Sequence, residues 1–304
     1  MTDATLIVEC SGPVWHVTLN RPQQGNACSA GLVASLDEVL QRAGCEGAQA
    51  MVLRGAGRHF CTGFDLSAIA SETDDSLLAR FVRERAATTD ALYILGDLFE
   101  AWIGDDAPDA AGDALVAVLQ PLREAGRPCF LIHGNRDFLL GDAYARRAGL
   151  VLLPDPSVID LYGTRTLLMH GDSLCTDDAP YQAFRAASRG AAWQRTFLAR
   201  PLAERQAFAE QARAESRRYT REAGDALTDV NADAVAAALR AAGSSRLIHG
   251  HTHRPAVHTF TLDGREAERI VLGDWYEQGS VLEIDPAGFT LRALPLGSGM
   301  DCGS

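Results

Sequence analysis

The sequence predicts an α/β protein in which short buried strands deliver polar residues to one edge of a layered core. Three observations lead there. Short apolar runs recur, each ending on a glycine beside Asp, Asn or His. Helix-like runs separate several of them. One long stretch, about 181–238, is rich in Ala and Arg and carries no strand signal.

In chain order, TLIVEC and VWHVTLN flank a Ser-Gly-Pro turn and predict a hairpin closed by Arg21-Pro22. Ser29 is placed to cap a helix whose apolar face carries Leu32, Leu36, Val39 and Leu40. AMVLRGAG predicts a buried strand, and the loop HFCTGFDL leads into a second helix from about Ser67 to Glu84. The texture then changes. ALYILGDL, CFLIHGNRD, TLLMHGDS, RLIHGHTH and IVLGDWY each predict a strand with its polar corner at the C-terminal end, where open α/β sheets bind ligands. Ala111–Glu124 and Asp142–Ala148 predict intervening helices, and 181–238 a helical insertion.

Composition narrows the class. With 304 residues, 47% hydrophobic and 22% charged, the chain is an ordinary globular protein with room for one large domain or two unequal ones. No run of 18 apolar residues and no signal-peptide pattern is present, so a cytoplasmic location is expected. Seven scattered cysteines, never in C-x-x-C spacing, argue against a disulfide framework or structural zinc. A net charge of -12 argues against a nucleic-acid partner. Tyr181–Glu222, with nine arginines and four glutamates, runs against that trend. It suggests either an anionic ligand or membrane surface, or a solvated arginine-rich helical face.

The strand ends carry the chemistry. Asp97, Asn135, His170, and His251 with His253 lie at four of them. One histidine at a strand end is more often structural than a ligand, but this set together offers hard oxygen and imidazole donors without cysteine. Such a set suits Mn²⁺, Fe or Zn²⁺. Divalent cations polarise phosphoryl oxygens and acidify water, so phosphate-ester hydrolysis is the expected reaction class. Arg136 is expected either to neutralise a phosphate oxygen or to pair at the surface with Asp137.

GDLFEAWIGDD, HGNRDF, MHGDSLCTDD and HGHTHRP resemble the calcineurin-like metallophosphoesterases over about 83–296, and within them the branch acting on UDP-2,3-diacylglucosamine in lipid A biosynthesis. The resemblance implies a β-sandwich flanked by helices, two Mn²⁺ ions, and hydrolysis of the substrate's pyrophosphate bond to UMP and 2,3-diacylglucosamine 1-phosphate. It implies Asp97, Asn135, His170, His251 and His253 as metal ligands, with Arg136 and His251 catalytic. Asn135, Arg136, Asp178, Ser216, Thr220 and His251 would contact substrate; a lysine of the family's pattern is replaced here by Ala223. It also implies a helical lid whose Phe184, Trp193, Phe197, Leu198 and Phe208 receive acyl chains or pack the lid on the body, and a peripheral position on the cytoplasmic face of the inner membrane.

The family's opening strand with its D-x-H motif is missing, which leaves the first metal short of two ligands. Residues 1–83 instead resemble a truncated crotonase (enoyl-CoA hydratase/isomerase) segment, carried by HVTLNRPQQGNACSAGL and MVLRGAGRHFCTGFDLS. The acyl-CoA pocket and the first oxyanion donor are implied near Ala27–Cys28 and Gly63–Asp65, but the second donor and the catalytic carboxylates have no counterpart, so no crotonase activity is expected. Two domains follow: 1–83, and 84–304 with the lid. Asp65-Leu66-Ser67 either approaches the first metal or, as the simpler reading, caps the helix that begins there. Three outcomes stay open: the lipid-nucleotide hydrolase, a phosphodiesterase of other specificity, and a catalytically impaired chimera.

Overall fold

A computed structural model describes residues 5–22, 26–27, 29–46, 48–57, 60–61, 77–107, 109–223, 229–275 and 278–295. The chain divides into two compact units, Met1–Ser76 with Ala110–Leu115, and Leu77–Asp109 with Val116–Ser304.

In the first unit, β1 (Leu6–Ser11) and β2 (Val14–Leu19) form the expected antiparallel hairpin, and β3 (Ala50–Gly55) adds to β2 in parallel. Helix α1 (Ala30–Cys45) starts where Ser29 accepts the Leu32 amide at 3.1 Å. Its Val39 and Ala43 pack on Trp15 and Val17, two of the three inward-facing residues of the alternating strand β2. Asp65 and Ser67, with Gly63 and Cys28, lie outside the described residues.

The second unit opens with α2 (Leu77–Glu84), which buries Ala79, Phe81 and Val82. The Phe81 ring meets Trp275 edge-on at 5.7 Å. A three-stranded parallel sheet follows, built from β4 (Leu92–Ile94), β5 (Cys129–Ile132) and β6 (Leu150–Leu153), with α3 (Ala110–Glu124), which belongs to this unit from Val116 onward, and α4 (Asp142–Ala148) as the connecting helices. A five-stranded sheet has the order β10-β11-β9-β8-β7, made from β7 (Ser157–Leu161), β8 (Thr164–Met169), β9 (Arg246–His249), β10 (Ala256–Leu262) and β11 (Arg265–Val271). The hairpin of β12 (Gln278–Asp285) and β13 (Gly288–Pro295) closes the chain.

One apolar layer joins these sheets. Leu95 and Ile132 from the parallel sheet meet Leu168, Ile248 and Ile270 from the five-stranded one, with Leu282, Ile284 and Phe289 of the hairpin at the margin. The opposite face of the five-stranded sheet, carrying Leu167, Met169 and Leu247, is covered by Val235 and Leu239 of α8 (Ala232–Ala242). Strand alternation therefore makes a β-sandwich with helices outside, as the resemblance implies. The insertion folds as α5 (Ala179–Ser188), α6 (Ala191–Leu198) and α7 (Leu202–Ala223), followed by α8.

Free thiols divide by burial. Cys10 and Cys45 are exposed, whereas Cys129 and Cys175 are buried and burial pushes both thiols up to about 12. At pH 8 almost none of either buried group is thiolate, the reactive form. Iodoacetamide on the native protein is expected to alkylate Cys10 and Cys45 within minutes and to leave Cys129 and Cys175 unmodified until denaturant is added. Peptide mapping checks this, and modification of Cys129 in the native state would contradict the packing.

Candidate metal centre

Four strand ends converge. After β4 the backbone turns through Gly96 at φ +88° and Asp97 at φ +53°, a left-handed pair that sends the Asp97 carboxylate back across the sheet edge. After β5, Gly134 passes so close that a Cβ there would fall on the Asp97 backbone and carboxylate, which is why a glycine precedes Asn135. Strand β8 delivers His170, and the turn after β9 delivers His251 and His253 at φ +65° and +55°. Three of the six non-glycine residues with positive φ among the described residues are thus Asp97, His251 and His253, so backbone strain is concentrated here.

Ligand atoms of Asp97, His170 and His251 lie within 4.8 Å of one another. Asn135 completes the cluster: its Oδ1 is 2.9 Å from His170 Nε2 and 2.9 Å from His251 Nδ1. His170 Nδ1 lies 2.7 Å from the Leu95 carbonyl. A carbonyl only accepts, so Nδ1 carries a proton, and in the neutral ring Nε2 turns a lone pair toward the Asn135 oxygen. Two acceptors facing each other at that distance need a proton or a cation between them. The donor chemistry therefore fits a divalent cation held by Asp97, Asn135, His170 and His251.

Electrostatics treat the two imidazoles differently. Burial, reinforced by the neighbouring His170, pushes His251 down to about 3, keeping its imidazole neutral as a ligand must be. Burial alone would lower His170 too, but Asp97, Asp172 and Asp137 together carry it above its ordinary value. His253 is lowered by burial and by Arg136, and its Nδ1 lies 3.4 Å from Asp274 Oδ2. It shares the turn with His251 but does not belong to the three-ligand group.

Arg136 does not pair with Asp137 in the way its surface reading assumed. Its amide donates to Asp97 Oδ1 at 2.9 Å, its Nε is 3.6 Å from Asp97 Oδ2, and its Nη1 donates to Glu100 at 3.0 Å. Asp137 is fully buried instead and accepts the Leu98 and Gly134 amides at 2.7 Å each, clamping the two ligand loops together. Asp178 caps α5, accepting the Tyr181 amide at 3.0 Å and the Tyr219 hydroxyl at 3.2 Å. Ser216 lies exposed on α7, and the Thr220 side chain lies outside the described residues. Within the lid, Trp193 stacks on Phe197 at 4.9 Å, and Phe208 meets Phe197 edge-on. Phe197 is buried, whereas Phe184 and Leu198 are exposed.

Sequence reasoning missed Asp172. It is fully buried beside His170 and accepts from the Tyr181 hydroxyl at 2.5 Å, from Arg185 Nε at 2.9 Å and from Arg189 Nη2 at 3.4 Å. The Tyr181 ring in turn lies against His251 at 6.1 Å. The available signal was an acid directly after the His170-Gly171 corner, with arginines four residues apart in the insertion.

A β-sandwich with a mixed Asp/Asn/His cluster at its strand ends is the architecture of a metal-dependent phosphoesterase. The family model for calcineurin-like phosphoesterases matches residues 71–255, and the chain belongs to that family. More particularly, it is 56% identical over 225 residues to the UDP-2,3-diacylglucosamine hydrolase of Stenotrophomonas maltophilia (strain R551-3), covering 72% of this chain and 91% of that protein. The protein of the same name from Xanthomonas axonopodis pv. citri is 56% identical over 227 residues, covering 72% and 92%. Residues 9–92 match the enoyl-CoA hydratase/isomerase model. An enoyl-CoA hydratase/isomerase from Marinobacter aquaeolei shares 28% identity, covering 42% of this chain and 40% of that one, at a TM-score of 0.22.

Proposed function

We propose that this chain hydrolyses the pyrophosphate bond of UDP-2,3-diacylglucosamine to UMP and 2,3-diacylglucosamine 1-phosphate, serving lipid A biosynthesis. The observation that carries the reading is the convergence of Asp97, Asn135, His170 and His251, in a chain 56% identical to proteins of that name.

Those four residues would hold a divalent cation, with Mn²⁺ the proposed metal. A cation bound there offsets phosphoryl charge and acidifies water. His251, its Nδ1 turned to the cation, would carry its proton on Nε2 and can donate it there, and Arg136, oriented by Asp97 and Glu100, is placed to meet a phosphate oxygen. Asp178, Ser216 and Thr220, at the base and along the length of the lid, are proposed substrate contacts. The exposed Phe184, Leu198 and Leu202 beside the lid's arginines support an acyl-chain and membrane-surface role, hence a peripheral site on the cytoplasmic face of the inner membrane. Among the described residues no helix is long and apolar enough to cross a membrane. The division into a crotonase-like segment, 1–83, and a phosphoesterase domain, 84–304, is part of the same proposal.

A second reading has its own observation. Among the described residues one three-ligand group assembles, and His253 stands outside it, which supports a single cation and an impaired enzyme. Measuring UMP release with added Mn²⁺ tests the first reading: the native chain is expected to turn over and Asn135→Ala to lose at least about tenfold, as loss of a metal-shell group does. Equal rates in the two proteins would remove it. Turnover of aryl phosphodiesters but not of the lipid nucleotide would point to another specificity. Elemental analysis near one metal per chain supports the impaired reading.

A further inference from the structure

Glu100 lies between two ligand-facing elements and has no part in the scheme above beyond orienting Arg136. Its flanks are pinned. Phe99 and Trp102 are buried, the Phe99 and Trp102 rings pack at 4.7 Å, Trp102 stands 4.4 Å from Tyr144, and the Trp102 amide donates to the Arg136 carbonyl at 2.9 Å. The Glu100 carboxylate is thereby fixed beside the metal centre. One oxygen accepts from Arg136 Nη1 at 3.0 Å, and the other accepts from Arg213 Nη2 of lid helix α7. Eight residues earlier on the same face of α7, buried Arg205 donates to the Ile103 carbonyl at 2.6 Å and grips Asp106 with both Nη atoms. Helix α7 is therefore fastened to the 99–106 loop at two points, and only the Glu100 point also holds the arginine beside Asp97.

Two guanidinium groups converging on one carboxylate make an arrangement that a phosphate oxygen pair also satisfies. We infer that Glu100 is an internal counter-anion: its carboxylate holds Arg136 and Arg213 together at the site, and an incoming phosphoanhydride displaces it and takes both arginines. Lid position and anion binding are then linked through one side chain. This rests on the reading of Arg136 as a phosphate contact. It adds Arg213 and Glu100 as determinants of which anions enter.

Inorganic pyrophosphate, titrated calorimetrically into the full chain with EDTA present, is the probe, and hydrogen exchange of the α7 amides reports the lid. Glu100→Gln is expected to bind pyrophosphate about tenfold more tightly because its competitor is gone, a factor equal to about 1.4 kcal/mol. Its α7 amides should exchange faster alone and regain protection with pyrophosphate. Glu100→Asp, which keeps the charge, should stay near the native affinity, and adding Arg213→Gln to Glu100→Gln should cancel most of the gain. Unchanged affinity overturns the inference, whether or not exchange accelerates, because a plain strap would move only the exchange. No pyrophosphate binding while UMP release persists overturns it and leaves the hydrolase reading intact. The expected affinity pattern without UMP release keeps the inference and discards the hydrolase.

Discussion

Replacing His170 with alanine is expected to abolish stabilisation by Mn²⁺. In the native chain, a cation at a hundredfold excess over its dissociation constant adds about 2.7 kcal/mol, a rise of several degrees in Tm. His170 sits at the centre of the group, 1% exposed, with Nε2 2.9 Å from Asn135 Oδ1 and 3.8 Å from Asp97 Oδ1. Its removal leaves Asp97, Asn135 and His251 without the buried imidazole that joins them, and strips the Leu95 carbonyl of its bond. Thermal denaturation with and without Mn²⁺ measures the effect, and UMP release should fall with it. His258→Ala, on an exposed stretch of β10, serves as the control and should keep the full shift. An undiminished shift in His170→Ala would place the cation elsewhere.

The second large effect concerns stability. Asp172 is completely buried, and three donors from the start of the lid depend on it: Tyr181, Arg185 and Arg189. Removing one partner of a buried charged network costs about 3–5 kcal/mol, because the remaining charges lose their counter-charge without regaining water. Asp172→Ala is expected to lose that much in urea denaturation, and Asp172→Asn, which keeps an acceptor oxygen, to lose less. Because Arg189 also donates to the Gly134 carbonyl beside Asn135, and Tyr181 lies against His251, Mn²⁺ affinity should weaken too. Asp263→Ala, which breaks the exposed pair with Arg240, should leave stability unchanged. Equal behaviour of the two alanine variants would show that the lid base is not anchored by Asp172.

Several strands escaped the sequence because their patterns are weak. Strand β7, SVIDL, alternates half-buried and exposed residues, and β10 is largely exposed. Neither produces the continuous apolar run that marked β5 and β9. Arg136 shows the same limit at the level of a side chain. Its sequence neighbour Asp137 looked like a partner, yet backbone amides of two loops had already claimed that carboxylate.

What the sequence by itself determined was local: apolar runs ending at glycine corners, a strand-free insertion, and the residue types standing at each strand end. Those features depend on a few neighbouring side chains and on backbone sterics, so they survive in one dimension. Only the tertiary structure decided which corners share a site, that Asp97, His170 and His251 form the three-ligand group among the described residues, and that Glu100 meets an arginine 113 residues away. The physical reason is that such pairings are set by sheet order and by which buried charges find counter-charges, and both depend on contacts between segments far apart in the chain.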